Sequence, residues 1–227
     1  MKRIRIITGH FGSGKSELSV NMVTALKKEH DNVAIVDLDI ANPYFRSRER
    51  QAEMERLGIK VYHNSFGYDI SQDLPALSAA IKEPLIDKEV LTVVDAGGDD
   101  SGARVLNQFR EYFLDDEEAE MLFVLNANRP ETATLEGCLD HLDRIQVETG
   151  LQIKGIINNT HLLSETSAED IKKGYKLAKE VSETLDIPVI ASYCNRKILN
   201  NIKEEDLDGI EQEGQKEALE PLPQSDW

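Results

Sequence analysis

Residues 9–16 read Gly9-His10-Phe11-Gly12-Ser13-Gly14-Lys15-Ser16, between an apolar run at 3–8 (RIRIIT) and an amphipathic stretch at 15–29. Gly-x-x-x-x-Gly-Lys-Ser is a pattern that physical chemistry places between a strand and a helix. Main-chain N–H groups of such a loop turn inward as an anion nest. Its glycines supply positive φ and permit close approach. The helix behind contributes partial positive charge at its N-terminus. In that arrangement Lys15 is the point charge that reaches β- and γ-phosphates, and Ser16 is the hydroxyl that ligates Mg2+. The candidate phosphate-binding set is Gly9, His10, Phe11, Gly12, Ser13, Gly14, Lys15 and Ser16, with Glu17 one residue into the helix.

Working outward, short continuous apolar runs alternate with longer amphipathic stretches. Strands are expected at 3–8, 33–37 (VAIVD), 59–62, 90–94 (VLTVV), 121–125 (MLFVL), 153–157 (IKGII) and 187–191 (IPVIA). Helices are expected at 15–29, 46–57, 75–87, near 101–114, at 131–148, and from a Ser167/Asp170 capping box to about 185. Buried Val/Ile/Leu strands, each followed by a helix, predict a parallel sheet covered on both faces. From about 203 the chain turns acidic and weakly apolar, so 1–202 reads as one α/β domain and 203–227 as an acidic C-terminal helix or tail.

Two acidic signals fall at strand ends. VAIVDLD puts Asp37 and Asp39 at or just beyond the second strand, and VLTVVDAGG puts Asp95 at the end of another, followed by Gly97 and Gly98. Ligands of open parallel sheets sit outside the carboxyl ends of the strands. Asp37, Asp39, Asp95 and the glycine loop are thus expected to converge. Asp95 suits a metal role, holding Mg2+ through water, and Gly98 is placed to offer a backbone N–H to a γ-phosphate.

Charge and composition exclude other classes. The 227 residues carry 26 Lys+Arg against 42 Asp+Glu, a formal charge of −16. A field of that sign repels phosphate backbones and anionic lipid, so neither nucleic acid nor membrane is an expected partner. No run of about 18 apolar residues occurs, and the start lacks the apolar core and small-residue cleavage site of a signal peptide. Cys138 and Cys194 form no CxxC pair, which suits a reducing compartment, and a cytoplasmic location is expected.

The glycine loop, the Asp-x-Asp after the second strand and the Asp-x-Gly-Gly after a later one, in this order, resemble the MinD/ParA-type branch of P-loop NTPases, the SIMIBI class, over roughly residues 3–192. The resemblance implies a single three-layer P-loop NTPase domain with a mostly parallel sheet. It implies a slow ATPase with Mg2+, acting as a conformational switch on a protein partner. It also implies a catalytic lysine (Lys15), a water-orienting aspartate (Asp39 first, Asp37 second) and metal contacts from Ser16, Asp39 and Asp95. The family's loop carries an extra lysine directly after the first glycine. That slot is His10 here, and Phe11 replaces the following glycine. Histidine is shorter than lysine and carries no fixed charge at pH 7, so monomer and homodimer both stay open. The remaining pattern is also similar to small-molecule kinases and metallochaperone GTPases.

Relatives that read guanine use Asn-Lys-x-Asp. Here the segment is Asn158-Asn159-Thr160-His161, with histidine in the aspartate slot. The resemblance therefore implies adenine, with GTP the lesser alternative, and a base contact from Asn158 first and Asn159 second. Arg46, Arg48 and Arg50, with Tyr44 and Phe45, follow Asp39 as either a solvated helix face or a phosphate- or partner-contacting segment. Arg129 reads as a sensor of partner or nucleotide, or as part of a helix-start loop with Pro130.

Overall fold

A computed structural model describes residues 2–39, 50–63, 74–114, 116–195 and 198, with the side chains of 74–79, 100 and 101 left aside. Seven strands form one sheet: β1 (Ile4–Thr8), β2 (Val33–Asp37), β3 (Lys60–His63), β4 (Leu91–Asp95), β5 (Ala119–Leu125), β6 (Ile153–Asn158) and β7 (Val189–Ser192). Their order is β3-β2-β4-β1-β5-β6-β7, and every pairing is parallel. Between the strands run α1 (Lys15–Glu29), α2 (Gln51–Arg56), α3 (Leu74–Ile86), α4 (Asp100–Asn107), α5 (Arg110–Leu114), α6 (Leu135–Thr149) and α7 (Ala168–Leu185).

Strand periodicity sorts the apolar residues into two cores. Ile4, Ile6, Val94, Met121, Phe123 and Leu125 face one layer of helices, packing with Leu106, Phe109, Leu142, Ile145 and Val181. Ile7, Val93, Leu122 and Val124 face the other, with Leu18, Met22, Val23 and Met54. The result is a three-layer α/β sandwich, as the alternating pattern predicts. No described helix is long and apolar enough to cross a membrane.

Two helix expectations are corrected. The stretch at 101–114 is two helices, because Gln108 and Phe109 close i→i−3 bonds to Val105 and Leu106 (3.1 and 3.0 Å). This tighter turn directs both Phe109 and Phe113 inward. The helix expected at 131–148 begins at Leu135, where Thr134 accepts from the Gly137 N–H at 3.2 Å as its N-cap. Pro130 instead opens a single 3-10 turn, Pro130–Thr132. The Ser167/Asp170 capping box is present. The acidic segment 203–227 and residues 46–49 of the second helix lie outside the described residues.

The sheet end opposite the glycine loop is closed by Arg3. Its guanidinium is ion-paired with Asp116 and donates to the carbonyls of Leu85 and Asp87, both at 2.8 Å. Burial pushes the Asp116 carboxyl up, but hydrogen bonds from Arg3 and then Lys88 outweigh it and hold the group at about 2.

Candidate functional site

The loop after β1 has the geometry that its glycines require. Gly9, Gly12 and Gly14 sit at φ +145, +74 and +82, a region hostile to side chains. Gly14 is the N-cap of α1. The next N–H groups, those of Lys15, Ser16 and Glu17, belong to a first helical turn and have no intrahelical acceptors. Lys15 and Ser16 are buried, at 6% and 2% exposure, while Glu17 is half-buried. The Lys15 ammonium folds back toward the His10 carbonyl at 3.5 Å.

What faces away from this concavity is as definite. The Gly12 carbonyl accepts from Arg129 Nε at 2.9 Å, and the Ser13 carbonyl from Asn159 Nδ2 at 2.8 Å. Asn126 Nδ2 adds a longer bond to the Gly12 carbonyl at 3.4 Å. Side chains at the ends of β5 and β6 thus hold the loop's carbonyls outward, which leaves the opposite side of the peptide units to an anion. Arg129, read from sequence as a sensor or loop residue, is one of these clamps. Asn126, the residue directly after β5, is another.

The three aspartates meet at the same edge. β2 and β4 are neighbours, and Asp37 pairs in register with Asp95. Asp37 Oδ1 accepts the Asp39 N–H at 3.0 Å, which turns the chain leaving β2 back over the sheet end. A methyl group built on Gly97 would lie 3.4 Å from Asp39 Oδ1, so that carboxylate reaches the segment following β4. Asp95 is 1% exposed, and neither of its oxygens has a hydrogen-bond partner. Burial, then the charge of Asp37, pushes its carboxyl up to about 8, against the opposing pull of Lys15 and the adjacent Ser16 hydroxyl. A buried carboxylate in that condition suits a cation. No set of three or more His, Cys, Asp or Glu forms a metal cage among the described residues.

Gly98 is buried and packs directly on Gly9: a methyl group there would overlap the Gly9 carbonyl oxygen. The end of β4 therefore touches the start of the glycine loop. At position 10 the ring is half-buried. Nδ1 donates to the Phe11 carbonyl at 2.8 Å, and Nε2 lies 3.5 Å from Glu131. Phe11 is 67% exposed.

The two asparagines lie in different surroundings. Asn158, placed first from sequence, is fully buried. Its amide donates to the Ile171 carbonyl and Ser192 hydroxyl, both at 3.0 Å, and its oxygen accepts from Thr160. It ties β6 to α7 and β7 inside the fold and is removed from the ligand side. Asn159 is the one at the loop. His161, half-buried, donates from Nδ1 to the Asn159 carbonyl at 2.7 Å.

Arg50 is half-buried and pairs with Glu53 at 3.8 Å. Tyr44, Phe45, Arg46 and Arg48 lie outside the described residues. Both cysteines are free thiols, and burial pushes Cys138 up to about 12.

An all-parallel three-layer sheet with this loop after its first strand and aspartates at the adjacent strand ends defines a P-loop nucleotide-binding domain of the SIMIBI class. The description of the CbiA family, the CobQ/CobB/MinD/ParA nucleotide binding domain, matches residues 4–226, and the chain belongs to that family. Solved structures of similar fold include chloroplast FtsY from Physcomitrella patens (17% identity, 85% of this chain and 58% of that one, TM-score 0.57). Cell division protein FtsY from Thermotoga maritima is similar at 16% identity, over 92% of this chain and 64% of that one, with a TM-score of 0.56. FlhF complexed with GTP and Mg2+ is similar at 14% identity, over 83% and 64%, with a TM-score of 0.52. The chain thus spans about three fifths of the length of these structures. No curated protein matches the sequence.

Proposed function

We propose that the chain is a Mg2+-dependent ATPase whose nucleotide state changes the surface offered to a protein partner. The observation that carries this reading is the Asp95 carboxylate, buried without a hydrogen-bond partner beside Ser16 and Lys15 in one anion-binding concavity. The N–H groups of Gly14 to Glu17 take the phosphate oxygens, the Ser13 N–H being turned to the His10 carbonyl at 3.1 Å, and Lys15 neutralises the β- and γ-phosphates. Ser16 ligates Mg2+, with Asp95 acting through water and Asp39 close by. Held by Ser16 and Asp95, such an ion would supply charge stabilisation as the phosphoryl group passes to water. Asp39 orients the attacking water by accepting its hydrogen bond, and Asp37 holds Asp39 in place. The Gly98 N–H and the His10 segment line the γ-phosphate end. Phosphoryl transfer needs little more than such positioning.

For the base we favour adenine. Asn159, held at the loop by its bond to the Ser13 carbonyl, is the candidate contact to the base. His161 cannot supply the paired acceptor that guanine's N1–H and N2–H2 require. The partner is a protein rather than nucleic acid or membrane, given a net charge of −16. The domain occupies 1–202, and the location is the cytoplasm.

Equilibrium displacement of a fluorescent nucleotide by ATP or GTP with Mg2+, paired with phosphate release, tests the reading. ATP is expected to displace at lower concentration and to yield phosphate slowly, and Lys15→Ala is expected to bind neither. GTP preference moves the assignment to a GTPase. No binding of either nucleotide overturns it. A cavity of about 500 Å³ beside the loop, between His10–Phe11, α4 and α6, favours one second reading, transfer of the phosphate to a small molecule. Mass detection of a phosphorylated product in place of free phosphate supports that alternative.

A further inference from the structure

His161 lies in the segment that leaves β6 beside the glycine loop, and the phosphate chemistry above gives it no task. Its ring is half-buried, with Nδ1 2.7 Å from the Asn159 carbonyl. A carbonyl oxygen only accepts, so Nδ1 carries the proton. The Asn126 amide nitrogen, 3.2 Å from the same Nδ1, is also a donor and turns its hydrogens to the Gly12 and His161 carbonyls, both at 3.4 Å. Asn126 Oδ1 accepts the His161 N–H at 3.3 Å. The fully buried Asn126 side chain thus clasps the His161 main chain through both of its polar atoms. The ring itself meets the loop. A methyl group built on Gly14 would overlap the Asn159 amide nitrogen and lie 3.1 Å from His161 Cε1.

Three consecutive loop residues are therefore braced from the ends of β5 and β6. Arg129 and Asn126 hold the Gly12 carbonyl, Asn159 holds the Ser13 carbonyl, and the His161 ring backs Gly14. The Asn159 main chain is pinned on both sides, its N–H by the Leu125 carbonyl at 2.8 Å and its carbonyl by His161, which aims its side chain at Ser13. Gly14 is the N-cap of α1, and the N–H groups after it are the ones that meet an anion. A ring that fixes Gly14 and Asn159 together fixes the direction of those groups. We propose, on the reading of this loop as a nucleotide site, that His161 is a positioning residue: bonded to the Asn159 carbonyl and packed on Gly14, it holds the start of α1 toward the phosphates and takes no part in choosing the base. Its effect then falls on the phosphates that ATP and GTP share, whereas a residue that reads the base acts on one purine more than the other.

Three variants of the full chain separate this role from base reading and from plain packing. His161→Asn keeps an N–H donor one bond beyond Cγ, where the imidazole carries Nδ1. His161→Leu keeps bulk without a donor, and His161→Asp sets a carboxylate against the Asn159 carbonyl. In the nucleotide-free chain, NMR hydrogen exchange is read at the Ser13 N–H, whose bond to the His10 carbonyl closes the loop, and at Ile35 in the buried strand β2 as the global reference. Ser13 exchange is expected to rise about tenfold in His161→Leu and to stay near the parent in His161→Asn, with Ile35 unchanged in both. In fluorescent nucleotide displacement, His161→Leu and His161→Asp are expected to weaken ATP and GTP by the same factor, about tenfold, and His161→Asn to bind as the parent does. The proposal is overturned if Ser13 exchange in His161→Leu matches the parent, if His161→Asn rescues neither readout, or if His161→Asp turns the preference toward GTP. A parent chain that binds neither nucleotide overturns the nucleotide reading, and Ser13 exchange then decides by itself whether His161 orders the loop.

Discussion

Gly98→Ala tests how the sheet end and the glycine loop make a site together. The added methyl group would overlap the Gly9 carbonyl oxygen and lie 3.2 Å from the Gly9 nitrogen. Carbon and oxygen rest comfortably only beyond about 3.2–3.5 Å, so β4 and the loop must part by more than about 1 Å. Gly9 cannot yield toward β5, because its own Cα side already meets Val124 backbone. Overpacking of this kind costs about 1–3 kcal/mol of stability, or a Tm fall of roughly 2–4 °C for each kcal/mol in a chain of this size. Nucleotide affinity is expected to fall as well, because parting the sheet end from the loop disturbs the convergence of main-chain N–H groups on the phosphates. Gly58→Ala is the control. Gly58 sits at φ +79, and a methyl group there meets only the Lys27 side chain, at 3.3 Å. It is expected to lose about 1 kcal/mol through backbone strain and to keep nucleotide affinity. Thermal denaturation and fluorescent nucleotide titration of both variants give the comparison. If Gly98→Ala binds nucleotide as tightly as the parent, the contact between β4 and the loop does not shape the site, and the reasoning fails.

Three further outcomes are expected. Asp39→Ala retains nucleotide affinity but loses phosphate release, whereas Asp37→Ala also loses stability, because the Asp39 N–H then has no carboxylate to meet; normal turnover in Asp39→Ala sinks the assignment. Asn158→Ala destabilises the fold by about 2–3 kcal/mol with little change in nucleotide affinity, since it leaves buried groups unpaired, while Asn159→Ala weakens nucleotide binding with a smaller loss of Tm; the reverse pattern would restore Asn158 to the site. Asp116→Asn removes about 2 kcal/mol, the value of a carboxyl held at about 2 instead of 3.8. Because the folded state depresses this group, its contribution is present above pH 3.8 and disappears as pH falls through about 2. The gap in chemical-denaturation stability between parent and variant should close over that window, and a gap constant with pH would refute it.

Much of the molecule is legible in a line of residues because the signals are local. A glycine loop between a strand and a helix requires no distant partner to be recognised, since φ > 0, N–H direction and helix polarity all reside within 9–17. The aspartates at 37 and 95 are legible for a related reason: a buried strand that ends on a carboxylate announces the edge at which parallel strands present ligands. The break at Gln108–Phe109 is different. Periodicity over 101–114 suits one helix, and only the demand to bury both Phe109 and Phe113 selects the tighter turn.

The chain's local chemistry determined the sheet, its covering helices and the phosphate-facing loop, because strand period, helix period and glycine conformation are properties of neighbouring residues. Tertiary structure decided which side chains act on that loop. Successive residues at a strand end point to opposite sides, so whether Asn158 or Asn159 meets Ser13 depends on how β6 lies against β5 and α7. Arg129 and Asn126 clamp Gly12 across more than a hundred residues of chain. His161, legible in the sequence only as the replacement of an aspartate, gains its place where β6 lies beside β5 and sets its ring on Gly14.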